Sequence, residues 1–198
     1  MKRTIDYYFS PMSPWTYLGH RRFRELATRH GVDVNVKPVD YGRIFPVSGG
    51  LPLKQRSAQR QAYRLMELER WRDFLGVPLN LEPRFFPYAT DAAVFMIIAA
   101  DQACGPSEAM DLAGALMTAC WAQECDCADA DTLKRLVDGV GLDVAVLRSR
   151  EAQARATYDR YTQEAIERQI FGAPTYVLDG KLFWGQDRLD FLERALQA

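Results

Sequence analysis

The chain opens on an alternating stretch. Ile5, Tyr7 and Phe9 are separated by Asp6, Tyr8 and Ser10. A period of two predicts a half-buried strand. The prolines in Ser10-Pro11-Met12-Ser13-Pro14 end it. Ser13 before Pro14 makes an N-cap and first-turn pair. Trp15, Leu18, Phe23, Leu26 and Ala27 then recur near helical spacing as far as Gly31. Val32, Val34 and Val36 alternate with Asp33, Asn35 and Lys37, which predicts a second strand. A short strand-helix-strand unit implies parallel strands and a right-handed crossover.

Residues 39–56 hold Gly, Pro and Ser without a sustained period and read as a loop. From Ser57 the pattern turns helical, with Ala58, Ala62, Leu65, Leu68 and Phe74 as its apolar face and a stop near Gly76-Val77-Pro78. A second loop carries Phe85, Phe86 and Tyr88. Helices are predicted from Thr90-Asp91, from Ser107 towards Trp121, over 130–139, over 143–149 and over 151–170. The end reverts to strands: Tyr176 to Leu178 and Lys181 to Trp184 flank Asp179-Gly180, a strong hairpin signal. Gln186-Asp187 opens a last helix with Leu189, Leu192 and Leu196 inward.

This order, β-α-β and then β-β-α around a helical block, is the skeleton of a thioredoxin-like α/β fold with a large all-helical insertion. Residues 1–41 and 171–198 form the thioredoxin-like part, and 42–170 the insertion.

Composition narrows the classes. The chain has 198 residues, 48% apolar and 26% charged, with a net charge of -1. That excludes disorder, collagen, coiled coil and an electrostatically driven nucleic-acid binder. Of the 25 basic residues, 20 are Arg. The four cysteines, Cys104, Cys120, Cys125 and Cys127, all lie in the helical block, and no apolar run suits a signal peptide or a membrane span. The expectation is a cytoplasmic protein with reduced thiols.

Three motifs carry candidate chemistry. In thiol-handling folds of this shape the reactive cysteines sit where the first helix begins, because unpaired N–H groups and partial positive charge stabilise a thiolate there. Here Ser13 and Thr16 stand in those places, which excludes thiol-disulfide exchange at this position. Ser13 is either a plain N-cap or a hydroxyl that holds a thiolate from elsewhere. Gly172-Ala173-Pro174-Thr175 precedes the hairpin. It is either an ordinary Gly-Pro loop or a cis-proline turn whose backbone pairs with a peptide ligand. Gly185-Gln186-Asp187-Arg188 begins the last helix, where free N–H groups can take a carboxylate and Asp187 an ammonium, unless Asp187 only caps.

Arg56, Arg60 and Arg64 share one helical face, which can attract an anionic substrate or, with Glu67, Glu69 and Asp73, form a salt-laced solvated surface. Cys125-x-Cys127 with only His20 and His30 as imidazole partners does not support a metal site.

The joint order of Tyr7-Tyr8-Phe9-Ser10-Pro11-Met12-Ser13-Pro14-Trp15-Thr16-Tyr17-Leu18-Gly19, the 171–189 segment and the 61–80 stretch closely resembles the 2-hydroxychromene-2-carboxylate isomerase family. These are glutathione-dependent relatives of the kappa-class glutathione transferases within the DsbA-like thioredoxin superfamily. The resemblance covers the whole chain. It implies glutathione as cofactor and a small aromatic carboxylate as substrate, isomerised through an aromatic-degradation reaction. Neither nucleic acid nor membrane is a partner, and a homodimer is implied.

By resemblance, Ser13 contacts the glutathione sulfur, Ala173 and Pro174 hold its cysteinyl unit, and Gln186 and Asp187 hold its γ-glutamyl end. Lys54 is a candidate for the glycyl carboxylate or an acidic substrate. Tyr8, Trp15, Tyr88 and Trp184 are candidate substrate contacts. Ser10 departs from members that carry Asp there. A kappa-like transferase and a non-catalytic thioredoxin-like binding module are the alternatives.

Overall fold

In the computed structural model, which describes residues 3–197, β1 (Thr4–Phe9) lies parallel to β2 (Asp33–Pro38), with Thr4 opposite Asp33 and Phe9 opposite Pro38. The crossover between them is α1 (Pro14–His30). β3 (Thr175–Leu178) pairs antiparallel with the other edge of β1, and β4 (Lys181–Trp184) pairs antiparallel with β3, giving the order β2-β1-β3-β4. The Asp179-Gly180 turn has positive φ at both residues, 50° and 78°, as a two-residue hairpin of this hand requires. The two ends of the chain therefore share one sheet.

Between β2 and β3 lie α2 (Tyr41–Ser48), α3 (Ala58–Leu75), α4 (Asp91–Ala103), α5 (Pro106–Trp121), α6 (Ala130–Gly139), α7 (Val144–Ser149) and α8 (Glu151–Glu167); α9 (Leu189–Gln197) closes the chain. Two parts of this differ from the sequence expectation. The 39–56 loop contains α2 and a 3-10 turn over Leu53–Gln55. Asp40 caps α2 by accepting from the Gly42 N–H at 2.7 Å, and Ile44 anchors it in the core. Gly42 and Pro46 hide that helix from a period count. In α3, Leu68 is fully buried, but Phe74 is 78% exposed, because the helix packs along one line rather than through a broad apolar face.

Alternation along β1 sorts its side chains. Ile5, Tyr7 and Phe9 face α1, with Tyr7 stacked on Phe9 and Tyr176 at ring distances of 4.5 and 5.4 Å. That core continues without a break into the helical block through Ile97, Leu116, Trp121 and Val137. Tyr8 faces the other way, towards Ile44, Ala165 and Ile170. There Lys37 is nearly buried between Asp6 and Glu164, at 3.0 and 2.8 Å. Burial alone would raise both carboxyls. Asn35 and Lys37 at Asp6, and Lys37 and Tyr8 at Glu164, hold them below the usual range.

His20 ties α1 to α5. Its Nε2 lies 2.9 Å from the Met110 carbonyl, which only accepts, so Nε2 carries the proton. Nδ1 then accepts from the Tyr7 hydroxyl at 3.2 Å. Burial disfavours the charged ring and pulls its pKa down to about 4. The stability this contributes is complete above the unfolded value of about 6.5 and is lost as pH falls towards about 4. Roughly 2 kcal/mol is gone by about pH 5. Urea unfolding of His20→Gln at pH 7.5 and at pH 5 should therefore show a smaller drop than the native chain, by about that amount. An equal drop would show that His20 does not titrate in this way.

Candidate active site

The site forms where β1 stops. Pairing of Tyr8 with Thr175 sets Pro174 beside Phe9. Four residues on, the Ser13 N–H donates to the Ser10 carbonyl at 3.0 Å, so the chain doubles back and starts α1 at the same end of the sheet. The Gly185 N–H donates to the Pro174 carbonyl at 2.9 Å, which draws the start of the last helical segment there too. Three sequence motifs, widely separated in the chain, thus share one sheet end.

Ser13 is the N-cap of α1, in extended conformation with φ of -82°. Its Oγ accepts from the Thr16 N–H at 3.2 Å. A hydroxyl has two acceptor lone pairs and one donor, so capping leaves the O–H proton available. The first turn of α1 holds no acidic residue, and its positive end is not neutralised from within. The two readings of Ser13 are therefore compatible.

The Ala173-Pro174 bond is cis. Thr175 Oγ1 and Tyr41 Oη both donate to the Gly172 carbonyl, at 2.6 and 2.9 Å, and pin the loop. The Ala173 N–H and carbonyl take no partner among the described residues. Trp184 lies over Gly172, where a Cβ would stand 2.3 Å from the indole Nε1. Half of Trp184 is exposed, and it meets Phe171 edge to face at 4.7 Å.

Gly185 has φ of 108°, and a Cβ there would lie 2.3 Å from Asp187 Oδ1. The following 3-10 turn, Gln186–Arg188, packs on the second turn of α1 at Gly19. Gln186 is 1% exposed. Its Oε1 accepts from Arg22 at 3.0 Å, while its buried Nε2 has no protein partner. Asp187 is exposed and pairs with Arg188 at 2.8 Å instead of capping the turn.

Other candidates are placed differently. Trp15 is partly buried on the first turn of α1. Lys54 is exposed on the Leu53–Gln55 turn. Tyr88 is buried, with its hydroxyl unpartnered near Cys120 and Cys127. Tyr8 is not brought to the Ser13 end: strand alternation turns it to the opposite face of the sheet, where its hydroxyl donates to Glu164 at 2.7 Å.

The salt-laced reading of α3 holds only for its C-terminal half. Glu67 pairs with Arg70, and Glu69 and Asp73 with Arg72, while Arg56, Arg60 and Arg64 make no ion pair among the described residues. All four cysteines are free, and burial pushes the Cys120 and Cys127 thiols up to about 12, away from thiolate chemistry. Arg22 was not singled out in the sequence. Arg22 is one of 20 arginines, and nothing local marks it.

Comparison with known proteins defines the class. The family profile described as "DSBA-like thioredoxin domain" matches residues 4–197. The chain belongs to the DSBA-like thioredoxin family. A 2-hydroxychromene-2-carboxylate isomerase from Sphingobium xenophagum is 32% identical over 199 residues, covering 99% of both chains. Glutathione S-transferase kappa 1 from Caenorhabditis elegans is 23% identical, covering 98% of this chain and 90% of its own. A solved 2-hydroxychromene-2-carboxylate isomerase superposes with a TM-score of 0.77 at 26% identity, covering 98% of this chain and 94% of its own. Within the family, full-length relatives place the chain with the 2-hydroxychromene-2-carboxylate isomerases. Among the described residues, no helix is long and apolar enough to cross a membrane.

The close approach of Gln186 to α1 gives a test of the assembly. A Cβ on Gly19 would lie 2.7 Å from Gln186 Cβ. Gly19→Ala should lower stability by about 1–3 kcal/mol in chemical denaturation, as crowding in a packed site does. Unchanged stability would show that the turn moves off α1 freely.

Proposed function

We propose that this chain is a glutathione-dependent isomerase that converts 2-hydroxychromene-2-carboxylate, or a related aromatic-pathway intermediate, to trans-o-hydroxybenzylidenepyruvate. The observation that carries the reading is Ser13. It is a hydroxyl with a spare proton, at the positive end of α1, where a thiol oxidoreductase of this fold places its cysteine. The named isomerases at about 30% identity over full length support it.

The groups left unpaired suit glutathione. The Ala173 N–H and carbonyl can pair with the backbone of its cysteinyl unit as an added strand does. The Gln186 Nε2, buried and without a protein acceptor, can donate to the α-carboxylate of the γ-glutamyl end, and exposed Asp187 can take its ammonium. Lys54 remains available for the glycyl carboxylate. When bound, glutathione supplies a thiolate whose reversible addition to the ring-opened substrate turns a double bond into one that rotates.

Ser13 donates its hydroxyl proton towards the sulfur, and the N–H groups of α1 add their partial charge, so the site favours sulfur in its anionic form. Among the described residues no base hydrogen-bonds to the Ser13 hydroxyl, so it orients and stabilises rather than attacks. Trp15 and Trp184, both partly exposed at this end, are available to flank an aromatic substrate.

Calorimetry should detect glutathione binding, and turnover of the chromene carboxylate should require glutathione without consuming it. A transferase of kappa type would consume it stoichiometrically, and absence of binding would remove both readings. Ser13→Ala should keep the fold, losing about 1 kcal/mol with its cap. It should lose about a hundredfold or more in kcat/KM, as loss of one donor to a developing anion does. Full activity in that variant would exclude Ser13 from the chemistry.

A further inference from the structure

One part of α3 carries charge that no described residue pairs with. The Arg64 guanidinium is drawn in over two aromatic rings, 5.6 Å from the centre of Phe86 and 6.0 Å from that of Trp121. Those rings meet each other at 4.9 Å. Arg64 makes no ion pair or side-chain hydrogen bond among the described residues. Among the described residues, the α3 carboxylates Glu67, Glu69 and Asp73 pair with Arg70 or Arg72. Its charged neighbour is another cation, Arg56, which is tied to the Leu51 carbonyl at 2.8 Å. Burial and that repulsion pull the Arg64 guanidinium down to about 10. Partial burial of an unpaired cation is unfavourable, and ring faces return only part of the loss.

The packing of α1 against α5 fixes where this cation sits. The helices run antiparallel. His20 meets Met110 and Gly114, and Tyr17, one turn nearer the start of α1, meets Thr118. Trp121 is three residues further, about 4.5 Å along α5. That brings it level with the Ser13-Pro14 start of α1. The Tyr17 hydroxyl also donates to the Pro78 carbonyl, and the Asn80 N–H to the Trp121 carbonyl, which lock the segment after α3 to the same place. Trp121 itself is fully buried, and its Nε1–H has no protein acceptor.

We propose that Arg64 is the carboxylate-binding residue for the aromatic acid substrate, holding it beside the Ser13 end of α1. This rests on the isomerase reading and deepens it. A guanidinium fork matches a carboxylate with two parallel N–H···O bonds, and the Phe86 and Trp121 rings restrict its rotation so that the fork is preset. An aromatic acid joins a flat apolar body to one anionic group, which is the complement of an unpaired cation over the Phe86 ring. Arg56 adds long-range attraction without needing direct contact.

The test uses trans-2-hydroxycinnamate and its neutral amide as probes, with binding measured by calorimetry on the intact protein without glutathione. The native protein should bind the acid at least about tenfold more tightly than the amide. Arg64→Met should lose that preference and keep its glutathione affinity. Arg64→Lys should fall between, because it keeps the charge and loses the fork. Equal binding of acid and amide to the native protein would overturn the proposal, and that comparison needs no variant to fold. So would full acid affinity in Arg64→Met, or a loss of glutathione affinity with the acid preference intact. Failure of the isomerase reading looks different: glutathione binds to no form of the protein, whatever the acid does.

Discussion

The structure depends on how α1 begins. Ser13 closes the helix by accepting from the Thr16 N–H, and its own N–H is held by Ser10 at the end of β1. The first bond closes the helix start, and the second ties it to the end of β1. Everything else at the site is built against that fixed end. Pairing of β1 with β3 sets Pro174 beside Phe9, the Pro174 carbonyl draws in Gly185, and Gln186 settles on Gly19 of α1. The result is a place with partial positive charge, an available hydroxyl proton and unpaired backbone groups, and with no reactive sulfur of its own.

That lack of sulfur gives sense to the cysteines. Cys120 and Cys127 are buried among apolar groups, and their thiols are held far from ionisation. They are core residues of the helical block. In the proposed reaction the thiol comes from glutathione, and the chain supplies only the surroundings that make a thiolate stable. A serine there cannot be oxidised, so such a site stays in one state where a cysteine pair would cycle.

Much of this was legible in the chain. Alternation in 5–9 and 32–36, and the Asp179-Gly180 turn, are strong local signals, and the sheet follows them. Ser13-Pro14 and Gly172-Ala173-Pro174 are local too. What was not legible came from tertiary partners. α2 contains Gly42 and Pro46 and is held by its cap and by Ile44 in the core, neither of which a period count detects. Tyr8 looked like a site residue because of its neighbours in sequence, yet its side points to Lys37 and Glu164. The charges of α3 could not be apportioned by spacing. Only the structure separates the arginines matched by Glu67, Glu69 and Asp73 from those left unmatched.

In the proposed mechanism the start of α1 stabilises a thiolate supplied by glutathione. This is tested most directly by titrating the sulfur of bound glutathione, following ultraviolet thiolate absorbance against pH in the complex and in free solution. The account predicts that the bound thiol ionises well below a free thiol's usual value of about 8.5, and that the shift shrinks when Ser13 is alanine. A bound thiol that titrates as it does in free solution, with or without the Ser13 hydroxyl, would contradict it.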